Sequence, residues 1–468
     1  MSRNRNWLHA ITGMLVLVLF TPSVALAQIN PPPTYAGDLW SRPRLTGDWF
    51  GGRDWLAKHG ATFDLDLTQV LQGVSSGRSP GVSYDGIVNY ELNGDIQKMG
   101  LWPGGFFKVQ AYTTYGTLAN QDSGALVPVN VIGILPEPDD NIATALMNLT
   151  YAQFLSTWFG IAVGKFNTLA SGDDNAFAHS FNTQFLNTAL NYNAVLSLAP
   201  FSAYGGALIF LPWKGALFTV SVVDPSGTGT NNDISEAFSD GVFVGAEGRV
   251  EIKPFGLVGH QDLGFFWSNK TRFSIDQDPS NIARLLVANR FPRLQDPGPL
   301  LRRLIEKFFP QLLVPVQPAR TEGTTWAVYY NFDQYLWSPT GHPDRGVGMF
   351  FRFGISDGNP NPVKYFYSAG FSANGVIPGR PKDNMGLGWA RTQLSSDFVP
   401  FLRQQFNLGL NVEDAVELYY NAALTPWLNL TANMQVVNSA VGKTINSNGN
   451  LVDMPTTVVG GLRMYVRF

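Results

Sequence analysis

The chain contains no cysteine, which excludes disulfide frameworks and thiolate metal sites. Charge is sparse, at 14% of residues, and nearly balanced, with 32 Lys and Arg against 35 Asp and Glu. No basic tract interrupts that balance, so nucleic acid is not an expected partner. His59, His179, His260 and His342 are scattered without metal-ligand spacing, so neither a metal nor another cofactor is expected. Long apolar runs are also missing. The run Ile11–Phe20 is about half of the roughly twenty residues a spanning helix needs, and nothing longer follows. What the chain has instead is glycine, 48 residues, and aromatics, 13%.

The first residues carry an export signal. Arg3 and Arg5 precede the apolar run, and Ala25-Leu26-Ala27 forms a small-residue cleavage site, so residues 1–27 are expected to be a signal peptide and Gln28 the first mature residue. Residues 28–60 then form a Pro-rich segment in the periplasm or the barrel mouth. It includes a short helix over Trp49–His59, stopped at Gly60. Residues 61–468 read as a single β-barrel, although length alone would suggest about three domains.

The barrel follows from alternation. In the last segment Val458, Leu462, Met464, Val466 and Phe468 share one parity, while Arg463, Tyr465 and Arg467 share the other. Met464 is therefore expected to face lipid and Arg463 the lumen. The pattern recurs from Val416 to Leu424, from Trp427 to Val436, and from Val242 to Ile252. A soluble sandwich also alternates, but here the connections alternate between short and long as well. Large aromatics (Trp102, Trp158, Phe210, Trp213, Trp337 and Trp427) gather at the short ones. Short periplasmic turns, longer outer loops and an aromatic girdle are features of outer-membrane barrels. The reading is an all-β, antiparallel up-and-down transmembrane barrel of about sixteen strands, an even number as single-chain bacterial barrels have. Expected strands include 158–166, 240–253, 260–276 and 321–337. The first of these would turn Lys165 towards lipid. The implied location is a Gram-negative outer membrane.

Several stretches resemble the carbohydrate-selective outer-membrane porins of the OprB type. They are Leu45–Gly60, Gly164–Ala178, Trp326–Trp337, Phe353–Lys364, Ile377–Arg380, Glu417–Asn429 and the terminal GLRMYVRF. The resemblance implies a sixteen-stranded porin admitting glucose and related sugars by diffusion, with its third outer loop, about 167–202, folded inward to narrow the pore. Ala170 departs from the Asp that members often carry there.

A diffusion channel needs no catalytic group, since pore radius, lining hydrogen-bond groups and fixed charge set its selectivity. Charged or amide side chains beside aromatics suit a sugar, with its hydroxyl rim and C–H faces. Parity offers Glu247, Arg249, Glu251, Asn331, Asp333, Arg352, Trp389, Arg391, Glu417, Tyr419 and Arg463 as lumen-facing candidates. The plainer reading is that each solvates the wall or pairs across it. In the constriction loop the candidates are Asn167, Asp173, Asp174, Asn175 and His179, all types that also favour turns.

Two GxSxG matches, around Ser75 and Ser356, lack a following helix and read as turn chemistry rather than nucleophile elbows. An outer-membrane lipid hydrolase would also require a histidine beside such a serine on an outward strand, and the pattern places none there. A general or anion-preferring porin remains the other alternative. Within the loop 279–320, residues 297–309 form an amphipathic basic stretch that either contacts lipopolysaccharide or packs on the rim. Oligomeric state is not legible.

Overall fold

In the computed structural model, the described residues are 31–135, 142–168, 172–277, 303, 307, 318–397, 409–445 and 450–468. The signal-peptide reading of residues 1–27, the amphipathic reading of 297–309 and Ala170 thus fall outside them, save Arg303 and Lys307.

In chain order the strands are β1 (Ala61–Ser76), β2 (Gly81–Asp95), β3 (Gly105–Gly116), β4 (Ile142–Phe154) and β5 (Phe159–Asn167). Next come β6 (Ser202–Phe210), β7 (Ala216–Val223), β8 (Phe243–Ile252), β9 (Gly259–Ser268), β10 (Arg272–Phe273) and β11 (Thr321–Glu322). Then follow β12 (Thr325–Trp337), β13 (Gly346–Ser356), β14 (Val363–Asn374), β15 (Asn384–Leu394), β16 (Val412–Thr425) and β17 (Leu428–Asn438). The last are β18 (Lys443–Ile445), β19 (Leu451–Asp453) and β20 (Thr457–Arg467). Sixteen of these close into one antiparallel barrel, with β1 sealed against β20 in a register that includes Leu67↔Val466 and Val70↔Arg463. Closure removes both sheet edges, as the water-free bilayer core demands.

Two expected strands are shorter in the wall than the sequence pattern indicates. Residues 260–276 stop pairing in the wall at Ser268, and 321–337 begin there only at Thr325. The remainder, β10 and β11, form a separate hairpin that gathers the root of the long loop. Residues 240–253 start at Phe243, because Val242 donates its N–H to the Asn269 side chain instead of the ladder. β18 and β19 make a second small hairpin in the loop before the last strand.

The outward face is apolar and exposed: Leu263, Phe265, Phe371, Leu387, Leu418, Met434 and Leu462 all lie open. In water such a band would be an aggregation surface; around a closed barrel it is the lipid contact. Lys165 shares that face, paired across from Tyr204 and Leu149. It is nonetheless fully buried, because the outer loop after β7 covers it, and its Nζ donates to Asn231 O and Asn232 Oδ1, both at 2.7 Å. The expected conflict at Lys165 is resolved by a loop that supplies the missing acceptors.

Before the wall lies one short helix, α1 (Gly52–Lys58), ended by Gly60 at φ +88°. It starts three residues later than the sequence pattern indicates, because Trp49 and Phe50 take positive φ (53° and 59°) and break the helical path.

Candidate functional site: the loop-lined lumen

Residues 172–199, between β5 and β6, bond to inward side chains on β1 and on strands from β8 round to β20. Asp173 pairs with Arg352 of β13, Oδ1 to Nε 3.0 Å, with both side chains fully buried. Arg352 also donates to the backbone carbonyls of Asp173, Leu190 and Ala178. Asn331 of β12 donates to Asp173 Oδ1 and accepts from Asn175 at 2.7 Å, while Asp333 accepts the Ala176 N–H at 3.1 Å. Glu417 of β16 accepts the N–H groups of Leu186 and Asn187. Arg463 of β20 donates to Phe181 O and Gln184 O, each at 2.6 Å. Thr68 of β1 donates to Asn182 Oδ1 at 2.6 Å. A single segment can reach β1, β12, β13, β16 and β20 together only from inside the cylinder.

Apolar packing seats the same segment. Phe177 meets Tyr335 edge-on with ring centroids 4.8 Å apart, and Phe185 meets Phe350 at 5.6 Å and Tyr419 at 4.7 Å. The wall makes room with glycine. A Cβ at Gly348 would lie 2.1 Å from the Phe177 ring, and one at Gly354 would lie 2.3 Å from Asn193 Oδ1. Neither position tolerates a side chain while the segment stays in place.

This changes the role of most wall candidates. Asn331, Asp333, Arg352, Glu417, Tyr419 and Arg463 face inward as parity indicated, but they are buried beneath the segment and hold it. Apart from Tyr419, which packs on Phe185, their polar groups satisfy its backbone, which would otherwise be left unpaired away from water. Glu247 likewise accepts from Tyr329 and from the Asp173 N–H. Arg249 is more accessible: it bridges the segment's Asp174, at 2.7 Å, to the wall's Asp333, at 3.6 Å. Asp174 is half exposed, and His179 stacks edge-on against Tyr192. Asn167, at the end of β5, donates to Gln110 and Tyr112 of β3. Glu251 pairs with Lys253 near the short-turn end.

Trp389 and Arg391 require correction. On β15 the inward parity is Gly386, Gly388, Ala390 and Thr392, and both proposed lumen residues face outward with Leu387. Arg391 there binds Asp414 of β16 through two hydrogen bonds, at 2.9 and 3.0 Å, and Trp389 Nε1 donates to the same carboxylate. Sequence reasoning equated inward with polar. This stretch of wall is small inside because Phe185 and Leu190 pack against it.

A polar set on the opposite wall was missed. Glu91 of β2 pairs with Lys108 of β3 at 3.0 Å and accepts from Asn93, and Gln110 donates to Asn89 and to Glu91. Among the described residues, the segment 172–199 makes no hydrogen bond to these five. Towards the short-turn end Glu91, Asn93 and Lys108 line a cavity of about 400 Å³, together with Arg44, Asp64, Thr150 and Tyr35. Alternation was the available signal, since Asn89, Glu91 and Asn93 alternate with Tyr90 and Leu92. The two serines of the GxSxG matches bond to strand backbone, Ser75 to Val458 O and Ser356 to Val363 O.

Comparison with known proteins agrees with this architecture. The curated Porin B of Pseudomonas aeruginosa is 25% identical over 149 residues, which is 29% of this chain and 31% of that relative's length. The high-pH structure of Pseudomonas putida OprB superposes with a TM-score of 0.73 at 19% identity, covering 92% of this chain and all of that one. Its low-pH structure gives 0.54 at 16% identity, with 92% and 99% covered. At such identities these structures speak for the fold. The sequence profile of the carbohydrate-selective porin, OprB family matches residues 79–468. The chain is therefore a Gram-negative outer-membrane channel rather than an enzyme, and it belongs to the carbohydrate-selective porin, OprB family.

Proposed function

We propose that the protein passes glucose-sized neutral sugars into the periplasm by passive diffusion, along the side of the lumen lined by β2–β4. One observation carries this reading: the inward segment is bonded to the far wall, while Glu91, Asn93 and Lys108 keep a mixed array of carboxylate, amide and ammonium groups beside the remaining space. Such an array offers donors and acceptors to hydroxyls without imposing a field of one sign. An anion-selective pore would instead present rings of Lys or Arg. In this reading Arg249 and Asp174 border the narrowest part, export removes residues 1–27, and Glu91 with Lys108 receives the sugar below.

Liposome swelling with a panel of sugars, amino acids and phosphate tests the proposal. Glucose-sized sugars are expected to enter faster than anions of similar size. Equal or faster entry of phosphate would overturn the carbohydrate preference and leave the barrel intact.

A further inference from the structure

The short turns carry large aromatics around the periplasmic rim, five of the six exposed. Trp102 follows β2, Trp158 follows β4, Trp213 follows β6, Phe255 follows β8, Trp337 ends β12 and Trp427 follows β16. Only the turn after β14 lacks one. At the remaining position, the seam between β20 and β1, no turn exists, because the barrel begins and ends there.

The N-terminal segment occupies that seam. Leu45 N–H donates to Arg467 O at 2.8 Å, and Trp427 Nε1 donates to Leu39 O at 2.7 Å. Arg53, almost fully buried, donates to Phe63 O at 2.7 Å and lies against the rings of Tyr35 and Trp49, at 4.5 and 4.7 Å. So fixed, the segment displays Leu39, Trp40, Trp49, Phe50 and Trp55, all exposed. The Trp49 ring lies 6.4 Å from that of Phe63, which has the outward parity of β1, so the display continues the lipid-facing wall.

The backbone is bent to achieve it. Trp49 and Phe50 both hold positive φ, a conformation that non-glycine residues rarely adopt. Phe50 is left with its whole side chain open. The same device occurs in the β8–β9 turn, where Phe255 has φ 54° and is likewise fully exposed. Strain that presents an aromatic ring to water has no return; strain that places one at a headgroup boundary does.

We infer that residues 39–55 are the missing sector of the periplasmic girdle, and that their partner is the headgroup–acyl boundary of the periplasmic phospholipid leaflet. The segment thereby anchors the barrel seam in the membrane.

Because the chain has no cysteine, single-cysteine labelling is clean. Full-length Phe50→Cys and Trp40→Cys variants, each carrying an environment-sensitive fluorophore, are refolded into phosphatidylethanolamine–phosphatidylglycerol vesicles, with and without brominated acyl chains. Phe255→Cys serves as the girdle reference and His342→Cys, in the turn after β12, as the aqueous one. The 50 and 40 probes are expected to show the blue-shifted emission of the 255 probe and a comparable loss of intensity with brominated lipid. If both instead emit like the 342 probe and are quenched by iodide in solution, while the 255 probe reports lipid, the inference is overturned. The two positions guard against one variant failing to refold.

Discussion

Replacing Arg352 with Met should release the inward segment without opening the barrel. The guanidinium is fully buried and makes four contacts, to Asp173 Oδ1 and to the carbonyls of Asp173, Leu190 and Ala178. Methionine fills part of the volume but leaves the Asp173 carboxylate with the Asn331 amide of the wall and the Asn193 N–H of the segment itself, among the described residues, to hold its charge. Removing one partner of a buried ion pair costs about 3–5 kcal/mol. That cost falls on the segment, because the wall is held by backbone ladders that the substitution does not touch. The segment keeps Glu417, Arg463 and its aromatic contacts, so partial detachment is expected, not unfolding. Single-channel recording in planar bilayers should show a larger and noisier conductance, and proteolysis from the outer side should cut between Asp173 and Leu190 more readily. Adding Asp173→Asn should recover part of the loss, since no orphan carboxylate then remains. The control is Arg391→Met. Its pair with Asp414 is outward and half exposed, worth about 0.2–1 kcal/mol, and conductance should not move. Unchanged conductance in Arg352→Met, or a changed one in Arg391→Met, would refute the assignment of faces.

Three further outcomes follow from the geometry. Burial acts to raise the Asp383 carboxyl in the turn after β14, but hydrogen bonds from Arg380, Tyr420 and the Ala423 N–H outweigh it and hold the group below the ordinary carboxylate range. The stability it contributes is therefore present above the unfolded value of about 4 and lost as pH falls through the lower folded value, so urea unfolding of wild type and Asp383→Asn should differ at neutral pH and converge in acid. Cysteine at Ser239, in the outer loop before β8, should label in intact cells, whereas cysteine at Lys382 should label only after lysis; labelling at Lys382 in intact cells would invert the topology. Met464 lies outward beside Leu462 and Leu430, so Met464→Arg should cost between the ~2–4 kcal/mol of the midplane and the ~0–1 kcal/mol of an interface in lipid unfolding measurements. A variant folding as well as the parent would mean that this strand is misfaced.

By itself the sequence determined the wall. Alternation of side chains has a period of two in any strand, and lipid demands that one parity be apolar, so β20 was read with its facing as found. Short and long connections set the topology for the same local reason. The fate of the inward face was decided only by tertiary structure. Arg352, Glu417 and Arg463 read as pore-lining because they are charged and inward, yet each is covered by a segment that sits far from it in the chain. Trp389 and Arg391 read as inward because polarity was taken as the mark of the lumen. On β15 a protein segment, not water, fills the lumen, so the inward residues are glycine and alanine and the polar pair lies outside. Strand periodicity tells which residues share a face. What that face meets, be it lipid, water or a folded-back loop, depends on contacts between distant parts of the chain, and no local pattern encodes them.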